Sequence, residues 1–207
     1  MSHTNTKRTM AEMRSRILSA ALCAVLIVIS VSAASCAAAP TEEEALEIIG
    51  ELLPKTYLLN DIYFGVGVSY TDDGSSYRYM PVTDDSPYLT EAELREATEA
   101  VFSSDYAESI FDIYLSGYSD EGTGSVIYAR YIENEDRLWI DTYAEGLVTS
   151  TRTYDLDTVE ITSLTSRFII FTAQSYLDGT ADEVIEITIT SETTDDGSVW
   201  RINSATY

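Results

Sequence analysis

Histidine and cysteine are the side chains whose placement says most about the chemistry open to this chain. The sequence has one histidine, His3, and two cysteines, Cys23 and Cys36. All three lie within the first 36 of 207 residues, so the rest of the chain has neither an imidazole nor a thiol. For that part, catalysis by Ser–His or Cys–His pairs, proton shuttling by histidine and histidine-ligated zinc are excluded.

Carboxylates are abundant, but their pattern does not indicate an active site. A glycosidase needs two carboxylates at a set separation, and among 35 acidic residues some pair always meets that distance. Acid–base work by an Asp and a Tyr in an apolar pocket is also conceivable. No constellation stands out, so we predict a non-enzymatic protein with no catalytic residue and no cofactor.

Calcium is the metal that suits oxygen ligands best. The sequence Asp-Asp-Gly occurs twice, at 72–74 and 195–197. Neither occurrence has the regular alternation of acidic residues found in an EF-hand loop, and both are typical of turns. We therefore predict no metal site.

The N-terminus has the order of a secretory signal peptide. Basic residues at 7, 8, 14 and 16 precede an apolar stretch at 17–29, and small residues follow at 32–35. The sequence Ala33-Ala34-Ser35-Cys36 resembles a bacterial lipobox, with Ala33 where the pattern prefers Leu. The resemblance implies cleavage before Cys36 and a lipid on its sulfur.

Two other interpretations of this segment stay open. The signal could be an ordinary cleavable one that ends near Ala39, or an uncleaved anchor, since about 20 apolar residues span a bilayer. All three export the remaining chain, with the lipid-anchored form at the outer face of the cytoplasmic membrane. We predict a signal peptide at 1–35, Cys36 and a short tether at 36–40, and a single domain at 41–207.

The exported part is strongly acidic. Residues 1–35 hold four of the 12 basic residues and one of the 35 acidic residues, so the rest has 8 basic and 34 acidic residues and a formal charge of −26. Such a surface repels nucleic acid and anionic lipid headgroups. It attracts a basic protein partner with a salt-sensitive association rate, although charge also serves solubility.

Helical signals come first along the exported chain. Thr41 with Glu44, and Thr90 with Glu93, are capping boxes at the start of two helices. Pro54 should end or kink the first helix. A third helix is predicted to begin after Ser104, its N-cap, and to stop at Gly117. Its apolar residues, at 107, 110, 111, 114 and 115, recur at helical spacing and lie on one face.

The pattern changes to period two after Gly124. Strands are predicted at 125–132, 137–143, 157–164, 167–173, 185–189 and 199–202. The strand at 167–173 is apolar on both faces and is placed centrally, and Tyr114, Tyr128 and Tyr131 are assigned to the core. Helices followed by an antiparallel meander predict an α+β fold with N-terminal helices packed on one face of a curved sheet.

Several phrases carry a family resemblance. They are Leu-Thr-Glu-Ala-Glu-Leu at 89–94, Phe-Ser-Ser-Asp-Tyr at 102–106, Tyr-Ile-Glu-Asn-Glu-Asp-Arg-Leu-Trp-Ile at 131–140 and Val-Trp-Arg-Ile at 199–202. Together with the kinked first helix they resemble the NTF2-like (cystatin-like) α+β families. Among exported bacterial proteins, the chain is similar over 41–207 to the IseA family of cell-wall DL-endopeptidase inhibitors.

The resemblance implies a non-catalytic inhibitor that blocks the substrate groove of a Cys–His peptidoglycan peptidase. No binding residue carries over from the family. By position, the polar loops suggest as possible partner contacts Asp72, Asp73, Asp84, Asp85, Asp120 and Glu121. The alternatives are a lipoprotein that binds a solute, glycan or peptide in a Tyr- or Trp-lined pocket, and an NTF2-like enzyme with a buried carboxylate of raised pKa.

Overall fold

The computed structural model describes residues 38–207 except 66, 75, 121, 123–124, 144–149 and 196, and it describes only the backbone of Asp120 and Ser125. The predicted signal segment and Cys36 lie outside the described residues. Residues Ala39–Tyr207 form one compact unit. Within its described part, no helix combines the length and the apolar character that crossing a membrane requires.

The first two helices meet at Pro54. Helix α1 spans Glu42–Leu52 and begins with the predicted capping box, in which Thr41 Oγ1 accepts from Glu44 N at 3.2 Å and Glu44 Oε2 accepts from Thr41 N at 2.7 Å. Helix α2 spans Lys55–Tyr63. Because proline has no amide hydrogen, it interrupts the helical hydrogen bonds, and the predicted break is confirmed.

Two further helices follow the second capping box. Helix α3 spans Glu91–Glu99 and is capped by Thr90 as predicted. Helix α4 spans Ser104–Tyr114. Its N-cap is Ser103 and not Ser104, which corrects the sequence prediction. The backbone of Ser103 is extended and its hydroxyl accepts a first-turn N–H at 3.4 Å.

The strands are paired antiparallel in three groups. Those among the described residues are β1 (Tyr79–Pro81), β2 (Tyr118–Asp120), β3 (Ser125–Ile127), β4 (Tyr131–Asn134), β5 (Arg137–Asp141), β6 (Arg152–Leu164), β7 (Phe168–Leu177), β8 (Thr180–Thr194) and β9 (Gly197–Ile202). They form a four-stranded sheet in the order β6-β7-β8-β9, a three-stranded sheet in the order β1-β5-β4, and the hairpin β2-β3. The fold is α+β, as predicted.

The four-stranded sheet packs one face against the helices. Along β7 the side chains of Ile169, Phe171 and Ala173 are fully buried, while the residues between them are partly buried. Helices α1 and α2 lie against β6. Register shifts in the β6–β7 and β7–β8 pairs mark bulges, which bend a sheet. Large side chains fill the core, and the largest fully buried ones include Tyr63, Tyr131, Phe102, Phe171, Ile49 and Leu53.

Several strand predictions are corrected by this arrangement. The predicted strand at 125–132 is broken into β3 and β4, because the chain passes from the hairpin to another sheet where Arg130 turns inward. The strand predicted at 157–164 begins at Arg152, and β1 lies between α2 and α3, where no strand was predicted. Strand β7 is internal in the sheet, as predicted. The strand is not buried on both faces, however, because Phe168 is 42% exposed.

A half-buried carboxylate at the end of α2 leads to a pH prediction. Burial raises the pKa of Asp61, and the carboxylate of Asp178 adds to this, while a hydrogen bond from Thr151 (3.3 Å) lowers it. Asp61 Oδ1 is buried, and within the described part of the chain it has no hydrogen-bond partner. The folded state therefore holds the Asp61 proton more tightly than the unfolded chain, so ionised Asp61 destabilises the fold at neutral pH.

Asp61→Asn is expected to increase the free energy of unfolding at pH 7, and this gain should vanish near pH 3, below the unfolded-state pKa of about 3.9. Urea denaturation at both pH values measures it. Asp112→Asn, at an exposed position on α4, is the control for general relief of negative charge. Equal stabilisation by the two variants would contradict the assignment to Asp61.

Candidate protein-docking site

The hairpin β2–β3 exposes apolar side chains on both of its strands. Tyr118 pairs with Ile127, and Ser119 pairs with Val126. The exposed fractions are 57% for Tyr118, 55% for Val126 and Ile127, and 52% for Tyr128, which follows β3. Neither strand joins another sheet among the described residues. A two-stranded ribbon of this kind is marginally stable by itself, so the hairpin depends on contacts at its base.

Gly117 fixes the base of the hairpin. It follows α4 with a φ of +72°, which favours glycine. A Cβ at this position would lie 2.8 Å from both Ala129 N and Ile127 O. Only glycine therefore lets the chain leave α4 and pass directly over the backbone that follows β3.

Gly117→Ala is expected to lower the free energy of unfolding by about 1–2 kcal/mol and to displace the hairpin, because it combines left-handed strain with a backbone clash. Gly50→Ala is the matched control. Nothing lies within 4 Å of a Cβ at Gly50, which is inside α1, so that change should stabilise the protein by about 0.5–1 kcal/mol. Urea denaturation gives both values, and destabilisation by both variants would contradict the proposed geometry.

The guanidinium of Arg78 packs against the face of the Tyr128 ring. The guanidinium lies 3.4 Å from the centre of the ring and pairs with Asp141 at 3.0 Å. The Asp141 side chain is buried and also accepts from Tyr143 N at 2.9 Å. Because the buried carboxylate orients the guanidinium, the Tyr128 ring has a preorganised cation–π support.

A groove of about 370 Å³ runs along the base of the hairpin. We call it the hairpin groove; its lining residues are Tyr79, Leu115, Ser116, Gly117, Tyr118, Ser119, Val126, Ile127, Tyr128, Ala129 and Ile132. Burial, followed by the Asp141 carboxylate, raises the pKa of Tyr79, so its hydroxyl stays protonated and donates to Ala129 O at 2.8 Å. The groove thus combines apolar walls with oriented tyrosine rings.

Four of the predicted acidic contacts lie at opposite ends of the three-stranded sheet. Residues 69–71 run antiparallel to residues 81–83. Asp72 and Asp73, which come next, therefore lie toward the start of β1, the end nearest to Arg78. Asp72 closes a turn by accepting from Gly74 N at 2.9 Å. Asp84 and Asp85 follow the other end of β1, where Asp84 pairs with Arg137.

The remaining predicted site residues have less structural description. The Asp120 backbone pairs with Ser125 at the outer end of the hairpin. Glu121 and the predicted lipid site Cys36 lie outside the described residues. The structure therefore brings the backbone of Asp120 close to the exposed apolar side chains, and it keeps Asp84 and Asp85 at a separate place.

Sequence reasoning missed the apolar residues of the hairpin. It assigned Tyr114, Tyr128 and Tyr131 to the core; Tyr131 is fully buried and Tyr114 packs against the core, but Tyr128 is half-exposed. A signal was present. Residues 126–128 are three consecutive apolar residues, and two glycines, at 122 and 124, precede them in the sequence. A strand with one solvent-exposed face would alternate apolar and polar residues instead.

The surface is more acidic than the total charge indicates. Arg130 and Arg152 are 3% and 9% exposed. Arg130 donates to Gly65 O at 2.7 Å, and Arg152 pairs with Asp182 at 3.0 Å. Of the six basic residues nearer the surface, four pair with carboxylates: Lys55, Arg78, Arg95 and Arg137. Few cations therefore offset the surface carboxylates.

Fold and site together define an α+β protein that exposes an apolar hairpin on an acidic surface. No model of a known protein family matches the chain. A search among curated proteins also gives no match. Among the described residues, no group of three or more His, Cys, Asp or Glu side chains is placed to hold a metal ion.

Proposed function

We propose that this protein is an exported, NTF2-like binding protein that inhibits a cell-wall peptidoglycan endopeptidase without catalysing a reaction itself. In this proposal a lipid on Cys36 holds it at the outer face of the cytoplasmic membrane. The hairpin β2–β3 enters the substrate groove of the peptidase and blocks it. The observation that carries the proposal is the exposure of Tyr118, Val126, Ile127 and Tyr128 on and beside one two-stranded hairpin.

The hairpin supports this function by its shape and composition. A groove is blocked by a narrow convex element, and a two-stranded ribbon is such an element. Tyrosines at the centre of an interface contribute much of the binding free energy, since they bury large area at low entropic cost. Arg78 and Gly117 hold the base of the hairpin in place, so little ordering is needed on binding.

The charge of the protein supports a basic partner. A formal charge of −26 for the chain from Cys36 onward, with two of its eight cations buried, speeds encounter with a basic surface and rejects acidic ones. The apolar hairpin then supplies contacts that salt does not screen. A complex that uses both should weaken in salt without disappearing.

The test is inhibition of a purified Cys–His DL-endopeptidase catalytic domain. We expect a one-to-one complex by calorimetry, with a Kd roughly tenfold weaker when NaCl is raised from about 50 to 500 mM. Cleavage of both whole cell wall and a soluble muropeptide should be inhibited. Inhibition on wall alone would mean that the protein coats the substrate, and absence of binding at low salt would refute the proposal.

A second candidate is a glycan- or peptide-binding lipoprotein that uses the same site. The hairpin groove has about 370 Å³ and three tyrosines in its lining, which is within the range of small-ligand sites. Calorimetry with soluble muropeptides and chito-oligosaccharides distinguishes it: this candidate predicts heat from the small ligand and no peptidase complex. An enzyme is less well supported, because Asp61, a carboxylate with a raised pKa, does not line the hairpin groove.

A further inference from the structure

Strand β9 has an open edge. It pairs with β8 on one side, in the order β6-β7-β8-β9. On the other side, Ile202 N donates to Val101 O at 2.9 Å and Ile202 O accepts from Ser103 N at 2.8 Å. Both backbone groups of Ile202 therefore point away from β8. The segment 101–103 covers the edge at this residue.

The outward direction recurs at every second residue of an antiparallel strand. Trp200 and Ser198, two and four residues before Ile202, therefore also direct their N–H and C=O groups away from β8. The hydrogen bonds of β8 are consistent with this direction. Ser191, which lies opposite Trp200, donates its N–H to Arg167 O and therefore not to β9. Trp200 O accepts from Arg201 Nη1 at 3.0 Å. The other three groups have no partner among the described residues.

A groove of about 230 Å³ lies beside this open edge. We call it the edge groove; its lining residues are Ile48, Glu51, Leu52, Lys55, Ala100, Ser198, Val199, Trp200 and Arg201. Ile48 and Leu52 of α1 contribute apolar side chains to the same lining as Trp200. Arg201 Nε donates to Glu99 O at 2.8 Å, so this side chain spans from the strand to the end of α3.

We propose that the β9 edge binds an extended, basic segment of a partner protein as an added strand. The segment pairs with Ser198 and the Trp200 N–H, and it places one apolar side chain in the edge groove. A basic segment fits the acidic chain as a whole, which has 34 acidic and 8 basic residues from Cys36 onward. Within the edge groove, Glu51 is paired with Lys55 at 2.8 Å, while Glu99, at the end of α3, is exposed. A second copy of this chain is disfavoured, since each copy carries a formal charge of −26 from Cys36 onward.

This surface is independent of the proposed inhibitory site. The edge groove and the hairpin groove have no lining residue in common. A variant at the β9 edge can therefore lose strand addition and keep hairpin binding. The two proposals can fail separately.

The experiment uses a labelled hexapeptide of alternating lysine and valine. Its control is the same peptide with N-methyl groups on alternate residues, which keeps charge and side chains but removes the backbone donors of one edge. We expect the N-methylated peptide to bind about tenfold more weakly, and the Ser198 and Trp200 amides to be protected from hydrogen exchange only by the unmodified one. Equal binding of the two peptides would overturn the proposal, because binding would then depend on charge and side chains and not on backbone hydrogen bonds to β9.

Ser198→Pro is the matching change in the protein. The Ser198 N–H does not pair with β8, and proline is tolerated on an open edge. We expect this variant to bind the unmodified peptide about tenfold more weakly, while circular dichroism and peptidase inhibition stay as in the parent. Unchanged peptide binding would overturn the proposal. So would sedimentation that shows a dimer of the parent without peptide and a monomer of the variant, because the occupant would then be a second copy.

Discussion

Replacing Tyr118 and Tyr128 together with alanine is expected to weaken the proposed complex with a peptidase by about 30-fold or more. Both side chains are more than half exposed on the hairpin β2–β3, so their removal leaves no cavity in the core. Truncation of a hot-spot tyrosine costs about 2 kcal/mol or more, and 1.4 kcal/mol corresponds to a factor of ten, so a 30-fold loss requires that one of the two tyrosines is such a hot spot. Calorimetry at fixed salt measures the change, with circular dichroism as a check of the fold.

The matched control separates the hairpin from the general charge of the surface. Val126 on β3 is 55% exposed and Val184 on β8 is 63% exposed. Replacing either one with arginine makes the same change of charge and size on an exposed strand position. Val126→Arg should abolish most inhibition, while Val184→Arg should change it only slightly. If both variants weaken binding equally, the hairpin is not the contact.

Replacing Phe171 with alanine is expected to lower the free energy of unfolding by about 3–5 kcal/mol. Phe171 is fully buried on β7, against the core that the helices cover. Its removal forfeits the transfer free energy of the ring and leaves a cavity that a packed interior fills only in part. For a domain of this size the melting temperature should fall by roughly 10 °C, which differential scanning calorimetry records.

Phe168→Ala is the control on the same strand. Phe168 is three residues earlier and 42% exposed. Because much of its ring is already in water, its removal should cost about 1 kcal/mol or less. A large loss in both variants would mean that the far face of β7 is covered in solution.

Local signals in the sequence predicted the helices well. The two capping boxes consist of a cap residue and a glutamate three residues later, and hydrogen bonds between near neighbours are enough to form them. The break at Pro54 follows from its missing amide hydrogen. The cap at Ser103 was misplaced by one residue, since two adjacent serines offer the same side chain and only the backbone conformation selects between them.

The strands were predicted less well, because their bounds depend on partners that are distant in sequence. The run at 125–132 has strand composition throughout, yet it splits where Arg130 turns inward to donate to Gly65 O, 65 residues away. Strand β1 is three residues long, and its pairing with β5 spans about 60 residues of chain. No local pattern contains that information.

The candidate site shows the same division. The sequence alone determined that the chain after Cys36 has no histidine, that it is strongly acidic and that it begins with capped helices, since composition and short-range hydrogen bonding depend on residue identity and spacing. Only the tertiary structure decided that Tyr128 faces solvent, that Arg130 and Arg152 are buried and that Asp84 lies apart from Asp72. Exposure and distance are properties of packing, and packing is set by contacts between residues that the chain keeps far apart.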